Sequence, residues 1–335
     1  MKKLIGIFAI ALSVLMFFTL SGCGSTSDIS EAEGTTNNLP QNTTGNVSNT
    51  SENTEGTAPL TEDTAEGIGT KSESSQLLNL SFFSEALGQE MNLNIYLPAN
   101  YSNETQYPVL YMIHGYTGDQ NVWMPGLKLE KKADELIADG KIQPLIIVSP
   151  DIDNSYGINS SKTTRQIGST PSNSLNEGMY EDYLIKDVIA YVDSNYSTIP
   201  SKEGRYIGGL SMGGYAALHL AFVHTDMFCK VGGHSPALFI NEFPSSLDYW
   251  LYPDENTRKQ TDPVYIAQEK DLTSLEVYLD CGSEDSYKFY EGCEDLQQIL
   301  QANGVKSEYH LNAGGHDGEY WINNSENYLM FYAGK

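Results

Sequence analysis

RYIGGLSMGGYAALHL, Arg205 to Leu220, reads as a short buried strand that runs straight into a helix with one serine at the corner. Tyr206 and Ile207 suit a strand, whereas Ala216, Ala217, Leu218, Leu220 and Ala221 suit a helix lying close on a sheet. Between them stands Gly209-Leu210-Ser211-Met212-Gly213, a G-x-S-x-G pattern. Glycines on either side let backbone approach closely and leave the Ser211 hydroxyl exposed on a sharp turn. The same turn puts the N–H of Met212 at a helix start, where unpaired donors and the helix dipole favour negative charge. The pattern alone is equally at home in a plain tight turn; its strand–turn–helix setting is what points to a nucleophile.

A serine hydroxyl attacks only when a base takes its proton and a third group orients that base. Of six histidines, His316 alone lies in a glycine-rich loop, Ala313-Gly314-Gly315-His316-Asp317, directly after the last expected strand. That is where the base falls in a Ser…acid…His order. The acid is expected after a strand between the two, and Leu279-Asp280-Cys281-Gly282-Ser283-Glu284-Asp285 offers three carboxylates. Asp280 ends the strand, and the pattern does not separate Glu284 from Asp285. A second oxyanion donor is expected after an early central strand: His114-Gly115-Tyr116 follows the apolar Tyr111-Met112-Ile113, with Gly115 permitting a sharp exit and the N–H of Tyr116 facing the serine.

Working outward, period-2 and short apolar runs predict strands at Met91–Leu97, Pro108–Ile113, Leu145–Val148, Leu275–Leu279 and Lys306–Leu311. Helices are expected at Leu129–Ala138 before Gly140, at Glu181–Tyr196, and at Asp295–Ala302 before Gly304. Alternating strands and helices imply an α/β fold, a mostly parallel sheet covered on both faces, with ligands at the carboxyl ends of its strands. Two stretches read as irregular: the polar run at 151–178, long enough for a functional loop, and the aromatic-rich run at 237–273, whose aromatics suit a cap, a cleft wall or satellite core packing.

The first 74 residues are of another kind. Met1-Lys2-Lys3 and the apolar Leu4 to Leu20 lead into Leu20-Ser21-Gly22-Cys23, small residues directly before a cysteine, which reads as an export leader over residues 1–22. Residues 24–70 hold eight acidic residues and no Lys or Arg among Ser, Thr, Asn and Gly. Such a segment buries too little apolar surface to offset its ordering entropy, so 23–74 reads as a tether and 75–335 as the folded domain. With 44 acidic against 19 basic residues, the net charge of −25 argues against a nucleic-acid partner. Cys229 and Cys281 suit small core positions, a Cys281–Cys293 bridge stays open, and no Cys or His spacing resembles a metal site.

Five segments carry a resemblance: YPVLYMIHGYTG at 107–118, YEDYLIKDVIAYVDSNYS at 180–197, YIGGLSMGGYAAL at 206–218, LDCGSEDS at 279–286 and GGHDGEYW at 314–321. In this order they resemble the "Putative esterase" family of α/β-hydrolases, which includes feruloyl esterases, acetylxylan esterases, S-formylglutathione hydrolase (esterase D) and the mycolyltransferases. The resemblance implies Ser211 as nucleophile, His316 as base, Asp285 as acid, and the N–H groups of Met212 and Tyr116 as oxyanion donors, with no cofactor. It also implies substrate contacts at His114 and Gly115 and an acyl-site wall at Trp123. The leader resembles a bacterial lipobox, implying a lipid on Cys23 and an exported enzyme held on the outer face of the cell membrane. Export argues against the cytosolic thioester role and favours esters of plant polysaccharide, such as acylated xylan, or their small fragments. An acyltransferase on cell-envelope sugars and a non-catalytic carbohydrate-binding module are the alternatives.

Overall fold

The computed structural model describes residues 72–168, 170, 174–240 and 245–335. The leader, Cys23 and the tether as far as residue 71 lie outside them. In chain order the domain runs β1 (Gln76–Ser84), β2 (Gln89–Leu97), β3 (Val109–Ile113), α1 (Leu129–Ala138), β4 (Ile146–Pro150), β5 (Arg165–Gly168) and β6 (Ser174–Glu177). A helical stretch in three parts follows: α2 (Tyr180–Asp182), a π-helical segment (Tyr183–Val188) and α3 (Ile189–Asn195). Then come β7 (Arg205–Leu210), α4 (Met212–Val223), β8 (Lys230–His234), α5 (Ser245–Leu251), α6 (Glu255–Thr261) and α7 (Pro263–Glu269). The chain closes with β9 (Glu276–Gly282), α8 (Phe289–Ala302), β10 (Lys306–Asn312) and α9 (Gly318–Ala333).

Eight strands form one sheet in the order β1-β2-β4-β3-β7-β8-β9-β10. The first two pair antiparallel, and β2 is antiparallel to β4. From β4 to β10 every neighbour is parallel. β3 and β4 are buried along their whole length, and successive residues feed opposite cores. Tyr111, Ile113 and Val148 enter the cluster that contains α4, while Leu110, Met112 and Ile147 enter the one that contains α1 and α9. A strand covered on both faces reads as a continuous apolar run, which explains VLYMI and IIVSP. β1 is the outer strand, and its residues alternate between half-buried and exposed, the pattern of a sheet margin with one face in water.

Every strand expected from the pattern is present within a few residues. The structure adds β1, the closing helix α9, and an earlier start for α8. It also corrects two stretches. Residues 151–178 are not merely irregular, because β5 and β6 pair antiparallel into a small sheet of their own. Residues 237–273 contain the three short helices α5 to α7, two of them started by aspartates: Asp254 accepts from Thr257 N and Asp262 from Val264 N. The parallel order places the carboxyl ends of β3, β7, β9 and β10 along one edge, and the four segments that leave there build the site.

Candidate active site

Ser211 is the single residue between β7 and α4, at φ 54° and ψ −118°. Positive φ is costly for a side chain and persists where the surroundings over-determine it. Here they do. A Cβ on Gly213 would lie 2.3 Å from the carbonyl oxygen of Ile113, and one on Gly209 would lie 2.3 Å from that of Gly213. The Ser211 N–H donates to the His234 carbonyl at 3.0 Å, tying the turn to the end of β8. Behind it, every residue of α4 except Val223 is buried, so the turn rests on a fixed helix.

His316 arrives from the loop between β10 and α9. Its Nε2 stands 2.9 Å from Ser211 Oγ and its Nδ1 stands 2.8 Å from Asp285 Oδ2. With Nδ1–H donating to the carboxylate, Nε2 is free to accept the hydroxyl proton, as a nucleophile–base–orienter line requires. The Asp285 side chain is fully buried, while that of His316 is about one-tenth exposed, so the base faces the cleft and the acid lies behind it. Asp285 Oδ1 accepts the N–H of Tyr287 at 2.8 Å, and Oδ2 also accepts the thiol of Cys281 at 3.2 Å. These donors fix the orientation of the carboxylate behind the imidazole. The choice among three carboxylates is thereby made: Glu284 is exposed, and Asp280 belongs to a different set of partners. Cys229, Cys281 and Cys293 are all free thiols, so the Cys281–Cys293 bridge is not formed.

The loop after β3 lies against the nucleophile. A Cβ on Gly115 would meet Leu210 Cδ1 at 2.6 Å and lie 3.4 Å from Ser211 Cβ, so the backbone of this loop passes close to the serine. Tyr116 follows Gly115 directly, and Met212 is the first residue of α4, whose N–H has no intrahelical acceptor.

Two expected contacts are corrected. Trp123 is fully buried in the core with α1 and α9, donating Nε1–H to the Ile113 carbonyl at 2.9 Å and packing edge-on to His234 and Tyr328. It has no surface left for an acyl group. His114 is fully buried as well. Its Nε2 accepts the N–H of Ile152 at 2.9 Å, which leaves the proton on Nδ1 to donate to the Gly115 carbonyl at 2.8 Å. His114 therefore staples the loop before Tyr116 to the end of β4 and does not meet substrate. His219 and His224 are engaged with Glu181, at 3.3 and 2.8 Å.

Three aromatic residues given no role from the sequence surround the base. Tyr287, Phe289 and Trp321 stand edge-on to His316 at 5.0, 5.3 and 5.1 Å between ring centroids. Phe289 and Trp321 are buried, but Tyr287 stacks on Phe289 and is 58% exposed, so one aromatic face opens beside the imidazole. The spacing Asp285-x-Tyr287-x-Phe289 was the available signal.

A serine–histidine–aspartate line at the strand ends of a mostly parallel, helix-covered sheet defines a serine hydrolase of the α/β-hydrolase fold. The chain belongs to the family described as "Putative esterase", whose profile matches residues 84–324, and it is a serine esterase by class. It is 28% identical over 236 residues to an endo-1,4-beta-xylanase/feruloyl esterase of Xylanibacter ruminicola, a match covering 68% of this chain but 27% of that protein. An acetyl esterase of Caldicellulosiruptor saccharolyticus is 21% identical, over 73% of this chain and 93% of its own. Among solved structures, a ferulic acid esterase superposes with a TM-score of 0.67 at 25% identity, covering 78% of this chain and 99% of the other.

Proposed function

We propose that the domain hydrolyses carboxylic esters of plant polysaccharide, feruloyl or acetyl groups on xylan or its fragments, through an acyl-enzyme on Ser211. The observation that carries this reading is the unbroken hydrogen-bonded line from Ser211 through His316 to buried Asp285. In the first half-reaction Ser211 Oγ attacks the ester carbonyl while His316 Nε2 takes its proton. The oxyanion draws on the N–H groups of Met212 and Tyr116, and two such fixed donors stabilise charge only as it develops. His316 then hands the proton to the departing sugar hydroxyl. A water molecule activated by the same nitrogen releases the acid.

Two features support an acylated sugar as substrate. Tyr287 offers an exposed aromatic face beside the base, which the buried Trp123 does not. Next to the oxyanion loop lies a cavity of about 430 Å³ bordered by Thr117, Gly118, Asp153, Asn154, Gln166 and Asn176, a polar lining suited to hydroxyl groups. The relatives named for feruloyl and acetyl esterase activity point the same way. Incubating the domain with feruloylated and acetylated xylan and with p-nitrophenyl acetate tests the reading. Release of ferulate or acetate from xylan supports it, and hydrolysis of the small ester alone rejects the polysaccharide.

The lipobox-like Leu20-Ser21-Gly22-Cys23 and the acidic tether behind it support an exported enzyme held by a lipid on Cys23. Radiolabelled palmitate incorporated by the full chain and lost in Cys23→Ala is the expected result. Equal labelling of both would reject the anchor.

A further inference from the structure

Beneath the site lies a second, buried histidine–aspartate pair that the reaction does not use. Asp280, next to His234 in the register of β8 and β9, is fully buried, as is His234, and their Oδ1 and Nδ1 stand 2.8 Å apart. Asp280 Oδ2 accepts two further hydrogen bonds, from the hydroxyls of Tyr320 at 2.6 Å and Tyr328 at 2.9 Å, both on α9. Burying a carboxylate is expensive unless donors surround it, and a buried polar set satisfied in this way has one arrangement. Its members hold the catalytic segments. The carbonyl of His234 receives the Ser211 N–H, and that of Asp280 receives the Ser235 N–H at 2.8 Å.

Tyr320 reaches the base. Its ring lies against Gly314, where a Cβ would come within 2.8 Å of Tyr320 Cδ2. Its N–H donates to Asp317, the neighbour of His316, at 3.0 Å. Asn312, at the end of β10, donates to its hydroxyl at 3.3 Å. Tyr328 accepts the same buried role two turns further along α9 and touches neither Gly314 nor Asp317 in this way.

We propose that Asp280 is a positioning residue for the esterase reaction, fixing the Ser211 turn through His234 and the His316 loop through Tyr320. The proposal rests on the reading of Ser211 and His316 as nucleophile and base. Asp280→Asn is the obvious variant, but it disturbs a buried carboxylate and can unfold the domain. The matched pair Tyr320→Phe and Tyr328→Phe avoids this, since each removes one hydroxyl from the same oxygen and only Tyr320 leads to the base.

The experiment measures kcat, KM and the pH dependence of kcat/KM for p-nitrophenyl acetate, with melting temperatures, on both variants of the full chain. Expected is a lowered melting temperature in both, with kcat falling roughly ten- to a hundredfold only in Tyr320→Phe, because small misplacements of a reacting group cost that much. KM should hold within about twofold, and the limb of the pH profile set by the base should move in Tyr320→Phe alone. Equal loss of kcat in the two variants, no loss in Tyr320→Phe, or a change confined to KM would overturn the proposal. Failure of the underlying esterase reading would show separately, as activity surviving in Ser211→Ala.

Discussion

Among the described residues, two histidine–aspartate pairs made through Nδ1 share one distance and differ in what surrounds them. His316 and Asp285 meet at 2.8 Å, and so do His234 and Asp280. The first imidazole presents its other nitrogen to a serine hydroxyl at a cleft edge. The second presents it to the Tyr332 hydroxyl at 3.2 Å, inside a core where both partners are fully buried. An aspartate that orients an imidazole is therefore no sign of catalysis in itself. Access for substrate, a nucleophile on the far nitrogen and nearby oxyanion donors make the difference.

The sharpest way to break this contrast is to remove the nucleophile. Ser211→Ala should lose about a million-fold in turnover, as expected when one member of a cooperating triad is deleted, with folding unchanged by circular dichroism. A variant that keeps its activity would make the outer pair as inert as the inner one. Next in size is Asp285→Asn, which leaves the shape but removes the orienting charge. Turnover measured on a p-nitrophenyl ester should fall by about four orders of magnitude. Glu284→Gln should stay near wild type, since that side chain is exposed while the Asp285 side chain meets the base. The reverse outcome would reassign the acid.

A third cluster extends the comparison to stability. Glu181 lies between His219 and His224. Burial pushes its carboxyl up, but the hydrogen bonds and charges of the two imidazoles outweigh this and hold it well below its ordinary value of 4.5. A carboxylate with a lowered folded pKa contributes stability above its unfolded pKa and loses it as pH falls. Melting curves should show wild type losing more stability than Glu181→Gln between about pH 6 and pH 3, with esterase turnover at neutral pH little changed. Parallel curves for the two proteins would show that this cluster contributes nothing to acid stability.

Much of this was legible in the sequence because local rules and the final packing agree. Gly209 and Gly213 mark a turn that only glycine permits, and apolar runs such as VLYMI announce strands covered on both faces. His316 stood out for its glycine-rich loop. Trp123 and His114 were misplaced because spacing along the chain places a residue near the oxyanion loop without saying which side of the sheet its side chain enters. Asp280, Glu284 and Asp285 could not be separated from pattern alone, since the choice depends on how Gly282 packs against the 314–315 backbone, where a Cβ would lie 2.3 Å from the Gly314 carbonyl. That contact joins residues about thirty positions apart, and nothing local encodes it. The packing of Tyr287 against His316, about thirty positions on, depends on a contact of the same kind.

In the proposed reaction, what separates the outer pair from the inner one is a covalent step at a single hydroxyl. Rapid mixing with p-nitrophenyl acetate, quenching in acid and mass analysis of the peptides should find an acetyl group on the peptide bearing Ser211 and absent in Ser211→Ala. Full turnover with no acyl group on that residue, or with the group on another side chain, would contradict the account.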